Sequence, residues 1–173
     1  MKNIITFDKS FVDSARFILE TEERIAKHDS DATFKLRMVG LLGEYAAARF
    51  LESKHGNQRM VIPVGVTSRL GIPGDTFNCG DVVTVSRNNR SRIREVKVYE
   101  VKSILGMNSK PLIRADHVEK YLDQGVDHII TVNVKFSDEG AECRINSVES
   151  PSKIMDTWRF MRIAGGVEVY KEI

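Results

Sequence analysis

The sequence predicts an α/β domain whose central mixed β-sheet is flanked by helices, and three observations predict it. Two long helical patterns open the chain. A pair of hairpin-like strands follows. A helix of about ten residues after Pro111 then leads into His128 to Phe136 (HIITVNVKF), a nearly continuous apolar run of the kind found in strands buried on both faces. The resulting order, αα-βββ-α-ββ-α-β, implies a mixed sheet with helices on its faces. At 173 residues and 42% hydrophobic content the chain can bury a substantial core as one domain, residues 1–173.

The first helix begins after Asp8 as N-cap and carries Phe11, Ala15, Ile18, Leu19 and Ile25 at helical spacing. The second follows the polar break His28 to Asp31 and runs to about Lys54, with Gly56 as its stop. Met60 to Val66 reads as a short strand, and Gly71, Pro73, Gly74 and Gly80 mark an irregular loop. Val82 to Arg87 and Arg92 to Lys102 form two strands joined through Asn88 and Asn89, residues that tolerate the positive φ of hairpin turns. The helix after Pro111 has Val118, Tyr121 and Leu122 on its apolar side and ends at Gly125. The passage from Val98 to Val134 reads as a right-handed crossover between parallel strands. Ala141 to Val148 is a weaker strand, Pro151 opens a short helix, and Val167 to Tyr170 is an edge strand.

Composition excludes several classes. Cys79 and Cys143 show no CxxC spacing, which argues against a disulfide framework or a thiolate zinc site, and both read as small buried apolar residues. His28, His55, His117 and His128 lack zinc-ligand spacing. Trp158, Phe160 and Met161 read as a core patch rather than a base-stacking platform. No apolar run reaches the roughly 18 residues that a membrane span requires, so the expectation is a soluble, cytoplasmic protein without a membrane partner. The net charge of +2 does not by itself indicate a polyanion partner. Its distribution is more informative, because Arg87, Arg90, Arg92, Arg94 and Lys97 crowd the hairpin against Glu95 alone. Such a basic ribbon can track phosphates or can be a solvated hairpin tip. Lys110 and Arg114 flank the start of the next helix, where phosphate binding would also be natural.

The chemistry is concentrated in Arg94 to Ser103 (REVKVYEVKS). Side chains alternate across a strand, so Glu100 and Lys102 share a face with Val96 and Val98, while Glu95, Lys97, Tyr99 and Val101 take the other. Charge at the rim of an apolar face costs several kcal/mol, roughly, unless it is paired or ligates a metal. Glu44 is a second unusual carboxylate, because its helical neighbours Gly40, Ala47, Ala48 and Leu51 are small or apolar and point it toward the sheet. Asp81 follows Gly80. A hairpin loop of two or four residues sets Asp81 opposite Val96 or Val98 and on the face of Glu100 and Lys102. Hard oxygen ligands of this kind suit Mg²⁺ completed by water and substrate phosphate, with Lys102 orienting water or offsetting transition-state charge.

Asp81, then Glu100-Val101-Lys102, after a helix bearing Glu44, resembles the PD-(D/E)xK nuclease superfamily, the restriction-endonuclease-like fold. The match covers about Ala32 to Phe136, within a core of residues 31–136 that leaves an N-terminal helix in 1–30 and a C-terminal extension in 137–173. The resemblance implies hydrolysis of DNA phosphodiesters with Mg²⁺ or Mn²⁺. It makes Asp81 and Glu100 metal ligands, Lys102 the catalytic lysine and Glu44 the helix-borne acid of many members. The chain departs from the pattern in having Gly80 before Asp81 in place of proline, and Asp75 is a rival for the Asp role. Cutting two strands with so small a subunit would call for a homodimer. Two other readings stand beside this one. One is a nucleic-acid-binding accessory or packaging protein that keeps the fold without cleavage. The other is a structural protein in which Glu100 and Lys102 form an internal ion pair.

Overall fold

In the computed structural model, residues 3–26, 31–64, 80–87 and 93–173 are described, without the side chains of 22–26, 31–33, 87 and 93. Strand β1 (Ile4–Asp8) runs into helix α1 (Lys9–Ala26), and α2 spans Asp31–His55. Strands β2 (Arg59–Ile62), β3 (Val82–Arg87), β4 (Ile93–Leu105) and β5 (Leu112–Arg114) precede α3 (Ala115–Asp123). Then come β6 (His128–Ser137), β7 (Gly140–Glu149), α4 (Pro151–Thr157), β8 (Arg159–Arg162) and β9 (Glu168–Lys171). Six strands form one mixed sheet in the order β1-β7-β6-β4-β3-β2, and three form a small antiparallel sheet in the order β5-β9-β8. In the large sheet only β4 and β6 pair in parallel, Tyr99 with His128 through Leu105 with Val134.

The N-cap expected at Asp8 is present: its Oδ1 accepts from the Phe11 N–H at 2.8 Å. Ala15 and Leu19 are buried on the inner face of α1. Losing this cap through Asp8→Ala is expected to cost about 1 kcal/mol, read as a lower urea midpoint with unchanged slope. The α2 helix stops where Gly56 takes φ +52. One core lies between α1, α2 and the large sheet and contains Leu19, Leu42, Leu51, Tyr99, Val101 and Val132. A second core, on the other face, joins α3, α4 and the small sheet through Val118, Tyr121, Ile154, Trp158 and Tyr170. Residues Ile129 to Val134 of β6 are all buried, as a strand flanked by β4 and β7 requires.

Several expectations are corrected. The segment Met60 to Val66 yields a strand only over Arg59–Ile62, and Val66 lies outside the described residues. The segment expected as an edge strand, Val167 to Tyr170, is β9, and it is the middle strand of its sheet because β5 and β8 flank it. Trp158 is buried but Phe160 is 54% exposed, so the expected core patch is divided. Leu122, expected on the apolar side of its helix, is exposed. Residues beyond 136 also supply β7 to the large sheet, between β6 and β1. Among the described residues, no helix is long and apolar enough to cross a membrane. Cys143 is buried and its thiol is pushed up to about 12 by that burial, which keeps it an unreactive apolar residue; Cys79 lies outside the described residues.

Candidate active site

Strand β3 meets β4 in antiparallel register, Val82 opposite Tyr99 and Ser86 opposite Glu95, with a bulge at Arg87. Asp81 stands one residue beyond β3 and is therefore next to Glu100, not opposite Val96 or Val98 as the loop-length argument suggests. Its expected face is kept, because the facing residue numbers still sum to an odd value. The Asp81 N–H donates to the Tyr99 carbonyl at 2.8 Å, and its Oδ2 accepts from the Val101 N–H at 2.8 Å. Among the described residues, no strand pairs with β4 beyond Tyr99 on the β3 side, and Asp81 caps that point.

Gly80 explains the departure from proline. Its φ is +82, and a Cβ there would lie 2.5 Å from Val98 Cγ1 and 2.8 Å from the Tyr99 oxygen. Proline, held near φ −65°, could not make this turn, so the glycine lets the chain close against β4 and deliver Asp81 to Glu100.

Glu100 and Lys102 leave β4 on the α3 side. Their ion pair measures 2.8 Å between Lys102 Nζ and Glu100 Oε1, with the side chains 30% and 14% exposed respectively. The Lys102 ammonium also lies 5.0 Å from the centre of the Tyr121 ring. Burial alone would lower the lysine, but the charge and hydrogen bond of Glu100, with Tyr121, outweigh it and raise Lys102 to about 12. Lys102 thus stays a cation through the physiological range. It can donate hydrogen bonds and neutralise developing negative charge, but it cannot serve as a general base. Because this amine is raised from 10.5, the stability it contributes is complete below pH 10.5 and is lost as pH rises through about 12. The difference in urea stability between wild type and Lys102→Met is therefore expected to stay constant from about pH 7 to 10. A difference that changes within that window would place the titration elsewhere.

Tyr121 is the residue that the sequence reading passes over. It appears there only as part of an apolar stripe, yet it adjoins both members of the pair, and burial raises its hydroxyl above the ordinary value. A tyrosine rather than a leucine on a buried stripe was the available signal, since its polar tip needs a partner.

Glu44 is buried at 5% exposure, as its small neighbours predict. It stands on the α2 side of β4, while Asp81, Glu100 and Lys102 belong to the α3 side. A Cβ added to Gly43 would overlap Ser103 Oγ, so Glu44 is the next residue after the point where α2 presses closest on β4. Ser103, beside the ExK triplet, is turned under that helix with its Oγ buried, away from Lys102. Asp75 lies outside the described residues, as do Arg90, Arg92 and the side chain of Arg87. Arg114 caps α3 and is paired with Asp116 at 2.6 Å, and both are exposed. Lys110 is exposed at the end of the loop before Pro111. That loop is held by β6 and β7, because Asn133 donates to the Gly106 and Ser109 carbonyls and Arg144 donates to that of Met107.

Among the described residues, no three His, Cys, Asp or Glu side chains stand together as a cage for an ion. The register instead sets two carboxylates, Asp81 and Glu100, at neighbouring positions, a set that would hold Mg²⁺ only with water and substrate phosphate completing its shell. Comparison with protein-family profiles, with curated proteins and with solved structures finds no match.

Proposed function

We propose that this chain is a metal-dependent DNA endonuclease of the PD-(D/E)xK kind, with Asp81, Glu100 and Lys102 at its centre and without Glu44, which lies across β4 on the α2 side. The observation that carries the reading is the convergence of Asp81 with the Glu100–Lys102 pair at the point where β3 leaves β4. Further support comes from the order α2, β2, β3, β4, α3, β6, which, with the short β5 of the small sheet inserted before α3, follows the helix, meander, helix and strand sequence that the resemblance implies. Asp81 and Glu100 would hold Mg²⁺ or Mn²⁺, which when bound polarises the scissile phosphate and acidifies a water. Lys102, fixed as a cation, donates to a phosphate oxygen and stabilises the charge that grows there. The Val101 N–H donates to Asp81 Oδ2, which orients that carboxylate before substrate arrives.

A second reading has its own observation, the 2.8 Å contact that lets Glu100 and Lys102 act as a structural ion pair. Manganese binding, followed by paramagnetic broadening, separates the two. The nuclease reading expects binding that weakens about tenfold or more in Glu100→Gln and Asp81→Asn, in the range seen when support for a metal is removed. The ion-pair reading expects no binding, and it expects Glu100→Ala to lose about 3 kcal/mol or more, as broken buried pairs do.

A further inference from the structure

The α2 helix ends in Lys54 and His55 above the start of β4. His55, Gln58, Arg59, Ser86, Arg94 and Glu95 line a cleft of about 620 Å³ there. The adjoining His128 stacks on Tyr99, with ring centres 5.5 Å apart, and shares the α2 face of the sheet with Lys97. Burial lowers both imidazoles from their ordinary value, and the positive charges of Lys54 and Lys97 act on both in the same direction. Among the described residues, Nε2 of His55 and Nδ1 of His128 are buried without a hydrogen-bond partner, so the protein's own described groups leave two imidazole nitrogens unsatisfied.

Cations outnumber acids here. Arg59 is already engaged, donating to Thr84 Oγ1 at 2.9 Å and to Glu95 at 2.6 Å. Glu95 also stands 3.5 Å from Lys97, so this single acid is shared between two cations. Lys54 and Arg94 add two more cations at the same place. Asp127, which also accepts from the Val98 N–H, and Glu149, which pairs with Lys153, act on His128 in the opposite direction, so the cations Lys54, Arg59, Arg94 and Lys97 outnumber the acids around them without being unopposed.

We propose that this cleft binds a phosphoryl group, namely a backbone phosphate of the DNA strand named above, and so anchors that strand away from the carboxylates. The strand's identity rests on the nuclease reading; the anion site itself does not. The cations Lys54, Arg59, Arg94 and Lys97 at and beside the cleft match a phosphoryl group in charge, and the buried imidazoles of His55 and His128 next to them would report its arrival.

The test is histidine-selective NMR of the full chain in EDTA, where no divalent ion is present and no cleavage intervenes. The probes are an unphosphorylated oligothymidylate, its 5′-phosphorylated form and inorganic phosphate. Shifts of the His55 and His128 imidazoles with the unphosphorylated oligomer support a site for internal phosphodiesters. Shifts with inorganic phosphate and the 5′-phosphorylated oligomer alone keep the phosphoryl site but assign it to a strand end. The variant Lys54→Ala/Lys97→Ala, with its fold checked by circular dichroism, is expected to bind about tenfold more weakly and with a shallower salt dependence. Imidazoles that respond to no probe, or a response unchanged in that variant, would overturn the proposal. Neither result depends on whether Lys102 supports cleavage, so the two readings fail separately.

Discussion

Replacing Lys102 by alanine is expected to reduce divalent-dependent DNA cleavage by about 100-fold or more, the range for removing one preorganised donor from a developing charge. The ammonium is held by Glu100 at 2.8 Å and faces the Tyr121 ring, which fixes it in place before a phosphate arrives. Removing it also leaves Glu100 at 14% exposure without its cation, which is expected to cost about 1–3 kcal/mol of stability. The two effects separate experimentally. Single-turnover nicking of supercoiled DNA reads the first, and urea denaturation reads the second. Activity that survives while stability falls would assign Lys102 to the ion pair alone.

Gly43→Val is expected to be the most damaging change away from the carboxylates. A Cβ at position 43 would overlap Ser103 Oγ and lie 2.9 Å from Ser103 Cβ. Rotating the hydroxyl removes the first clash but not the second, so α2 must lift from β4. Overpacking of this kind costs about 1–3 kcal/mol, and β-branching in mid-helix adds some tenths. Adding Ser103→Gly removes both clashing atoms and should recover most of the stability. A double-mutant cycle with no coupling would show that the helix and strand do not touch at this pair.

The parts of this fold that were legible in the sequence are those with a strong period or a specific terminator. Asp8 and Gly56 bound the helical patterns because a cap and a positive φ are local chemistry. The nearly continuous apolar run His128–Phe136 identified β6, because a strand with neighbours on both sides is buried on both faces, as Ile129 to Val134 are. The face shared by Glu100 and Lys102 followed from alternation alone, whereas Asp81 joined it only for a hairpin loop of even length. The residue opposite Asp81 did not follow, because it depends on a hairpin whose tip no local rule fixes and on the bulge at Arg87.

Short strands were illegible for a different reason. Ile4–Asp8, Leu112–Arg114 and Arg159–Arg162 span three to five residues, too few to show a period, and each is a strand only because a distant partner supplies its hydrogen bonds. The side of β4 to which Glu44 belongs was likewise a tertiary fact, decided by α2 and α3 lying on opposite faces. Tyr121 escaped because a helical stripe shows what is buried but not what its polar end meets. Gly80 ran the other way: a departure from the expected proline became intelligible once its φ and its contact with Val98 were known.

The most direct test of the central claim is incubation of the wild-type protein with supercoiled and linear DNA in Mg²⁺, Mn²⁺ or EDTA. The account predicts nicking with either metal and none in EDTA. Intact DNA under all three conditions, from a protein that still binds it, would contradict the account and make this chain a nucleic-acid-binding module.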